Sequence, residues 1–228
     1  MTKLYGIGVG PGDPELITIK ALNAMKASDT ICYVGKSKES SIAYNIAKGA
    51  WPDIDKKKTV CIDFPMTKDQ LKLDLAHSKI ASQIKEFLKE GDVALLTLGD
   101  PGVYSTYSYI LKRLKTESID IVTIPGITSF TALAARLLIP LTLSDEKLHG
   151  IPSSYDFEDA LKLSGTLVFM KAGKNYLNLI SYLKENALDA EVYMIENCGM
   201  DNEKIYKGSE NLPMESGYFT TIIIRGLK

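Results

Sequence analysis

The sequence predicts an α/β fold, and three observations support this. Strand-like and helix-like segments alternate along the 228 residues, which is typical of layered α/β proteins. Residues 93–98 form an almost continuous apolar run, as do strands of parallel sheets covered by helices on both faces. The composition, 45% hydrophobic and 24% charged, is that of an ordinary globular chain long enough for one large or two smaller domains.

The first predicted strand covers residues 4–9 and ends at Gly10-Pro11-Gly12. We expect one helix directly after it, because Asp13 is a good N-cap and Pro14 suits the first helical position. The apolar residues expected on one face of this helix are Leu16, Ile19, Leu22 and Met25. A second strand is predicted at residues 30–34.

A long helix is predicted over residues 71–89, with Gly91 as its natural end. His77 lies in the polar part of this pattern and is interpreted as a surface residue. The 93–98 strand leads through Gly99-Asp100-Pro101-Gly102 into a helix, whose apolar residues are Tyr107, Ile110, Leu111 and Leu114. Residues 119–124 predict the next strand.

The second half repeats the alternation of strands and helices. The predicted helices lie at about 128–138 and around 177–183, and the predicted strands are 166–170, 190–195, 204–207 and 218–224. The Pro125-Gly126 turn is the best boundary, so we expect domains at residues 1–124 and 125–228.

Charge and cysteine usage exclude several classes of protein. The 27 basic and 28 acidic residues give a net charge of −1, and the run Lys56–Lys58 is interpreted as a solvated loop. We therefore expect no nucleic-acid partner. We expect no membrane partner either, since no window resembles an apolar span of about 20 residues. Three widely spaced cysteines fit a reducing cytoplasm, and two distant histidines predict no metal site.

The ends of the predicted strands carry glycine and short polar residues. In open α/β sheets ligands bind beyond the carboxyl ends of the strands, so these loops predict a small-molecule site. The loops are residues 10–13, 99–102, 171–174 and 197–199, together with the helix start at Thr128-Ser129. A dinucleotide fingerprint fails because Pro11 stands where its third glycine belongs, and a P-loop fails because Thr30 stands where its first glycine belongs.

Two of these segments allow a structural and a functional interpretation. Gly99-Asp100-Pro101 is ordinary turn chemistry, or it lets a ligand approach the backbone while Asp100 accepts hydrogen bonds. Tyr104, Tyr107 and Tyr109 are helix packing residues, or they form an aromatic wall against a flat ligand.

Three motifs together resemble the tetrapyrrole methylases, a family of S-adenosylmethionine (SAM) dependent enzymes. The motifs are residues 8–18, 96–101 and 124–129, and the likeness covers essentially the whole chain. Within the family, the segments 99–107, 35–43 and 170–173 resemble the branch that methylates carbon 20 of precorrin-2 or cobalt-factor II. The exit from the second strand through Tyr33-Val34-Gly35-Lys36 departs from the members that methylate uroporphyrinogen.

The resemblance implies two αβα domains with a cleft between them, SAM as cofactor with S-adenosylhomocysteine as product, and a homodimer. The implied cofactor contacts are Pro11, Gly99, Asp100, Val103, Thr128, Ser129, Met170 (or Lys171 beside it) and Cys198. The implied substrate contacts are Lys36, Ser40, Ser41, Tyr104, Tyr107 and Lys171. Arg136 and Lys174 are further cations that could pair with substrate carboxylates.

The expected reaction is methyl transfer to an electron-rich carbon of the macrocycle, in which alignment supplies much of the acceleration. Asp100 and Tyr104 are the candidates for a base. The alternatives are another position or another tetrapyrrole, a macromolecular acceptor such as a diphthamide precursor or ribosomal RNA, and a module that binds SAM without transfer. Whether the macrocycle carries cobalt is left open.

Overall fold

The structure is a computed structural model that describes residues 2–65, 67, 69–115, 118–152, 157–171, 176–186 and 190–227. The chain divides into two compact units, Met1–Thr128 and Ser129–Lys228. The boundary predicted from the sequence falls after residue 124. Both units are α/β.

The first unit is a five-stranded parallel sheet with helices on both faces. Its strands are β1 (Lys3–Gly8), β2 (Thr30–Val34), β3 (Lys58–Ile62), β4 (Val93–Thr97) and β5 (Asp120–Ile124). Its helices are α1 (Ile19–Ala27), α2 (Ile42–Ala50), α3 (Gln70–Leu88) and α4 (Tyr107–Leu114). The strand order is β3-β2-β4-β1-β5, and every neighbouring pair is parallel. This agrees with the parallel first sheet predicted from the sequence.

Two hydrophobic clusters cover the two faces of this sheet. One joins α1 and α2 to Ile7, Ile31 and Leu96, and the other joins α3 and α4 to Leu4 and Leu95. All five residues of β4 are buried because both of its faces are covered. The order β4-β1-β5 brings three loops together at the carboxyl edge of the sheet.

The second unit contains a mixed five-stranded sheet. Its strands are β6 (Leu148–Pro152), β7 (Gly165–Met170), β8 (Glu191–Glu196), β9 (Lys204–Lys207) and β10 (Thr220–Leu227). Its helices are α5 (Ser129–Leu137), α6 (Phe157–Ala160) and α7 (Tyr176–Asn186). The order is β6-β7-β10-β8-β9, in which β6 and β7 are parallel and the other neighbours are antiparallel. The start of β10 therefore lies beside the ends of β7 and β8.

The single helix predicted after Asp13 is wrong. A short 3-10 turn, Pro14–Leu16, forms there, with the Asp13 carboxylate accepting from the Glu15 amide. The chain is extended at Ile17, and α1 begins anew after Thr18, whose hydroxyl caps the helix. Ile19, expected on the buried face, is 78% exposed.

Several elements were not predicted from the sequence. They are α2, α6, β3 and β6, which are short, between four and nine residues each. The Lys56–Lys58 run is not wholly a loop, since Lys58 begins β3 at the edge of the sheet. Its side chain pairs with Glu90 at 2.5 Å.

His77 is also not the surface residue that the sequence predicts. It is 4% exposed, and its ring stacks on Tyr109 with the centroids 4.8 Å apart. Burial, and then the nearby Arg113 guanidinium, lower the pKa of this imidazole. The helical pattern alone could not predict the burial of His77, because Phe64 and Tyr109 belong to other parts of the chain and cover it only in the folded structure.

Candidate functional site

Three glycines meet where β1, β4 and β5 end, and we call Gly8, Gly99 and Gly126 the glycine junction. A Cβ atom at Gly126 would lie 2.2 Å from the Gly99 carbonyl oxygen. A Cβ atom at Gly8 would lie 2.6 Å from both that oxygen and the Gly126 nitrogen. The close approach of the three backbones therefore requires glycine at Gly8 and Gly126.

The loop after β1 is bonded to the loop after β4 through the backbone. The Gly99 amide donates to the Gly10 carbonyl at 2.8 Å, and the Gly10 amide donates to the Gly99 carbonyl at 3.3 Å. Both residues have positive φ, 81° for Gly10 and 69° for Gly99. Pro11 follows directly and is buried. The predicted cofactor residues Pro11 and Gly99 thus lie on loops that are joined.

The Asp100 carboxylate connects the loop after β4 to the loop after β5. One oxygen accepts from the Gly102 amide at 2.7 Å, and the other accepts from the Gly126 amide at 2.9 Å. Sequence reasoning singled out Asp100, but it could not identify these partners. Gly126 is 26 residues away and carries no side chain that would mark it.

Space for a ligand is open at Gly99. A Cβ atom built there would have no atom within 4 Å, in contrast to the crowded Gly8 and Gly126. A half-buried backbone with positive φ and open space where a side chain would stand is the kind of surface that a polar small molecule can approach closely. The carboxyl edge of this sheet therefore fits a ligand such as the SAM implied by the motifs.

Val103 and Tyr104 complete this loop. The Val103 amide donates to the Asp100 carbonyl at 3.3 Å. Tyr104 has φ of 46°, which is unfavourable for an aromatic residue, and its side chain is 44% exposed. Next to it, the buried Ser105 and Thr97 hydroxyls lie 2.8 Å apart and anchor the segment to the end of β4. The structure thus presents Tyr104 at the surface in a strained conformation.

Tyr107 lies in the core, which argues against its predicted contact with substrate. It is 2% exposed, and its hydroxyl is 2.8 Å from the Thr123 hydroxyl. Its ring fills the space beside β1, since a Cβ at Gly6 would lie 2.1 Å from the ring carbon Cζ. Of the two interpretations of the tyrosine-rich segment, helix packing therefore applies to Tyr107.

Ser40 and Ser41, the two serines predicted to contact substrate, lie between β2 and α2 and have hydrogen-bond partners within the protein. Ser41 is buried, donates to the Val34 carbonyl at 2.7 Å and caps α2, which argues against its predicted contact with substrate. Ser40 is exposed, and its hydroxyl accepts from the Ser37 amide at 3.0 Å. Lys36 is exposed at the end of β2.

In the second unit, the ends of β7 and β8 both turn through a non-glycine residue with positive φ. Lys171 follows β7 with φ of 55°, and Asn197 follows β8 with φ of 52°. The Lys171 amide donates to the Thr220 carbonyl at 3.1 Å. The Asn197 amide donates to the Phe219 carbonyl at 3.0 Å. The first residue of β10 and the residue before it therefore hold the two strand ends.

The predicted contacts Ser129 and Cys198 lie together. The Cys198 thiol donates to the Ser129 carbonyl at 3.8 Å, and the Ser129 hydroxyl is 2.8 Å from the Thr221 hydroxyl. Thr221 is in register with Met170 across β10 and β7. The second unit thus brings together its predicted contacts Ser129, Met170 and Cys198. Thr128 is half-buried and is the last residue of the first unit.

The cations have different surroundings. Burial lowers the pKa of the Lys171 ammonium group, because a charged amine is poorly solvated there. Arg136 lies 3.8 Å from Glu203 and is half exposed. Lys174 lies outside the described residues.

Sequence reasoning missed the residues that support the second unit's strand ends. Glu196 is buried at the end of β8 and accepts from the Gly217 amide at 3.1 Å. The Thr220 hydroxyl donates to the Gly217 carbonyl at 2.7 Å. An acidic residue that ends an apolar strand was the one available signal, and the antiparallel return of β10 was not foreseen.

The part of the chain that the structure describes contains neither a metal-ligand cluster nor a helix able to span a membrane. Within it, no group of three or more histidine, cysteine, aspartate or glutamate residues is arranged to hold a metal ion. No helix within it has the length and apolar character needed to cross a membrane.

Comparison with known proteins identifies relatives along the whole chain. Residues 3–212 match the family described as tetrapyrrole (corrin/porphyrin) methylases. A probable cobalt-precorrin-2 C(20)-methyltransferase of Methanocaldococcus jannaschii is 36% identical, over 99% of this chain and 97% of the relative. A precorrin-2 C(20)-methyltransferase of a Sinorhizobium species is 30% identical, over 99% and 96%.

The fold is shared with solved structures. The uroporphyrin-III C-methyltransferase of Thermus thermophilus, complexed with S-adenosylhomocysteine, superimposes with a TM-score of 0.72. The match covers 99% of this chain and 98% of that one, at 19% identity.

Proposed function

Because the chain belongs to the tetrapyrrole (corrin/porphyrin) methylases, we propose that it methylates carbon 20 of a precorrin-2 macrocycle, with SAM as the methyl donor. The observation that carries the proposal is the 36% identity, over nearly the full length of both chains, to a probable cobalt-precorrin-2 C(20)-methyltransferase. We take the cobalt-loaded macrocycle as the first substrate to test. The metal-free form is the second, since a relative named for it is 30% identical.

The cofactor-binding residues come from the loops described above. In the first unit they are Pro11, Gly99, Asp100, Val103 and Thr128, and in the second unit Ser129, Met170 and Cys198. Support comes from the open backbone at Gly99 and from the bonding of Gly99 to Gly10. In the second unit, the Ser129–Thr221 and Cys198–Ser129 contacts support a preformed surface.

Methyl transfer depends mainly on the alignment of the acceptor carbon with the methyl group and sulfur of SAM. When bound, SAM supplies a methyl group on a sulfonium, which is a strong electrophile, and is released as S-adenosylhomocysteine. The residues of this chain hold donor and acceptor in line and exclude water, and such positioning can contribute several kcal/mol, up to about 7–11 kcal/mol in well-oriented reactions. The glycine junction suits this task because its backbone atoms are fixed by packing and hydrogen bonds.

The substrate carries many carboxylates on a broad, flat ring. Exposed Lys36 and half-buried Lys171 supply positive charge for the carboxylates. Tyr104 presents an aromatic face for the ring, and Ser40 lies in the same loop as Lys36. Tyr107 and Ser41 are left out of this set because both side chains are buried and hydrogen-bonded within the first unit.

The test is methyl transfer from isotopically labelled SAM to cobalt-precorrin-2 and to precorrin-2 in parallel, with the labelled carbon located by NMR. We expect the label on carbon 20 and a higher kcat/KM for the cobalt-loaded macrocycle. A label on another carbon would reassign the reaction within the family. SAM binding without transfer to either macrocycle would contradict the proposed activity.

A matched pair of tyrosines tests the substrate side. Tyr104→Ala is expected to raise KM for the macrocycle roughly tenfold, the loss of about 1.4 kcal/mol of stacking and apolar contact. Tyr109→Ala, in the same segment but packed against His77, is expected to leave this KM unchanged. Equal effects of the two substitutions would remove Tyr104 from the substrate site.

We further infer a homodimer that works in the cytoplasm. The three cysteines are free thiols, as expected in a reducing compartment. Light scattering of the purified protein measures the dimer directly, and a monomer at micromolar concentration would contradict it.

A further inference from the structure

The Asp100 side chain holds together two loops that are far apart in the sequence. Its bond to the Gly102 amide closes a turn within its own loop, as aspartates commonly do. Its bond to the Gly126 amide reaches a loop after a different strand. An ionised carboxylate is a strong acceptor for backbone amides, and each of these bonds is stronger than a neutral one.

The Gly126 amide needs this acceptor because the sheet ends before it. The register between β1 and β5 ends with Ile7 opposite Ile124, two residues short of Gly126. At the glycine junction the backbones approach closely, yet no strand pairing orients the Gly126 amide. The carboxylate takes the place that a neighbouring strand would have, and it fixes the direction in which residues 125–128 leave the sheet.

We propose that Asp100 is a positioning residue, which acts through Gly126 and Gly102 to hold the cofactor-binding loops, and that it does not remove the proton from the methylated carbon. This inference rests on the proposed function. Its oxygens face backbone amides of the protein itself. Protonation of the carboxylate in each turnover would weaken the bond that keeps the Gly126 loop in place.

The experiment compares Asp100→Ala and Asp100→Asn with the unaltered protein, and measures the Kd for SAM, kcat and the pH profile of kcat. We expect Asp100→Ala to weaken SAM binding roughly tenfold or more, because the part-buried Gly126 amide loses its carboxylate acceptor and its loop is no longer held. The Kd of Asp100→Asn for SAM should lie between those of Asp100→Ala and the unaltered protein, since the amide oxygen of asparagine still accepts one hydrogen bond. At saturating substrates, kcat should stay within about threefold, with the same pH profile.

The opposite pattern would overturn the proposal. An unchanged Kd for SAM, with kcat reduced about a hundredfold or more and one ionisation lost from the pH profile, would identify Asp100 as a base. The control is Asp69→Asn, because the Asp69 carboxylate also accepts from two backbone amides, Leu71 and Lys72, but only at the start of its own helix. It is expected to leave Kd and kcat unchanged.

Hydrogen exchange without any ligand separates this inference from the proposed function. In Asp100→Ala the amide of Gly126 should exchange faster, while the amides of β4 remain protected. Unchanged protection at Gly126 would overturn the positioning role even if the protein methylates precorrin-2. Faster exchange in a protein that binds no SAM would retain the loop-holding role and refute the proposed function.

Discussion

In the first unit, glycine backbones packed against each other and one carboxylate join the strand ends at the carboxyl edge of the sheet. In the second unit, the ends of β7 and β8 turn through non-glycine residues with positive φ, and no such glycine contact is seen among the described residues. Gly8, Gly99 and Gly126 leave no room for a Cβ at two of the three positions. In the second unit, Lys171 and Asn197 adopt positive φ, and Ser129 and Thr221 share a hydrogen bond. The difference indicates that steric packing decides which substitutions the first edge tolerates. At the second edge, backbone conformation and single hydrogen bonds decide this.

Gly126→Ala is expected to have the largest effect, because the new methyl group meets the Gly99 carbonyl oxygen at 2.2 Å. We expect a loss of about 3 kcal/mol in the free energy of unfolding, the upper part of the range for overpacking. Denaturant unfolding measures this loss. Gly217→Ala in the second unit is the control, since nothing lies within 4 Å of its Cβ. Equal losses in the two variants would break the comparison.

Ser129→Ala should cost less, about 1 kcal/mol, the usual net value of one hydrogen bond. Thr221→Val removes the partner hydroxyl with little change of shape, so it should cause a similar loss. In the double variant the two losses should not add, and the coupling measured by chemical unfolding should be at least about 0.5 kcal/mol. Strict additivity would show that this hydrogen bond does not hold the second edge.

Asn197→Gly is expected to have the smallest effect, and in the opposite direction. Glycine adopts positive φ without penalty, so removing the side chain at φ of 52° should stabilise the protein by about 0.5 kcal/mol. Asn197→Ala keeps the conformational demand and should destabilise it. The two melting temperatures, measured side by side, decide the matter. A lower melting temperature for the glycine variant would mean that Asn197 contributes through its side chain.

Helices and strands were predicted best from the sequence where the length of a segment and the spacing of its apolar residues indicated the same type of element. The strand Thr30–Val34 has the predicted bounds, and α4 contains the four apolar residues expected in it. The edge strand β3 was missed because its first residue belongs to a lysine run. The break at Ile17 was missed because the 3-10 turn and α1 share one helical pattern of apolar residues.

Site residues were predicted only as far as local chemistry reveals them. Asp100 stands out in a Gly-Asp-Pro turn, but its partner Gly126 is set by the parallel order β4-β1-β5. The family resemblance implies that Tyr107 and Ser41 contact substrate, yet their hydroxyls are hydrogen-bonded to Thr123 and Val34 inside the unit. These pairings depend on tertiary neighbours, which a single sequence does not contain.

Because the Tyr107 ring packs against Gly6, the residue that is tolerated at one of these two positions depends on the residue at the other. No β-carbon at position 6 is compatible with this ring, so an alanine there is tolerated only together with a smaller residue at position 107. Substitutions at positions 6 and 107 are therefore expected to be correlated, and an alignment of homologous sequences would show the two residues changing together.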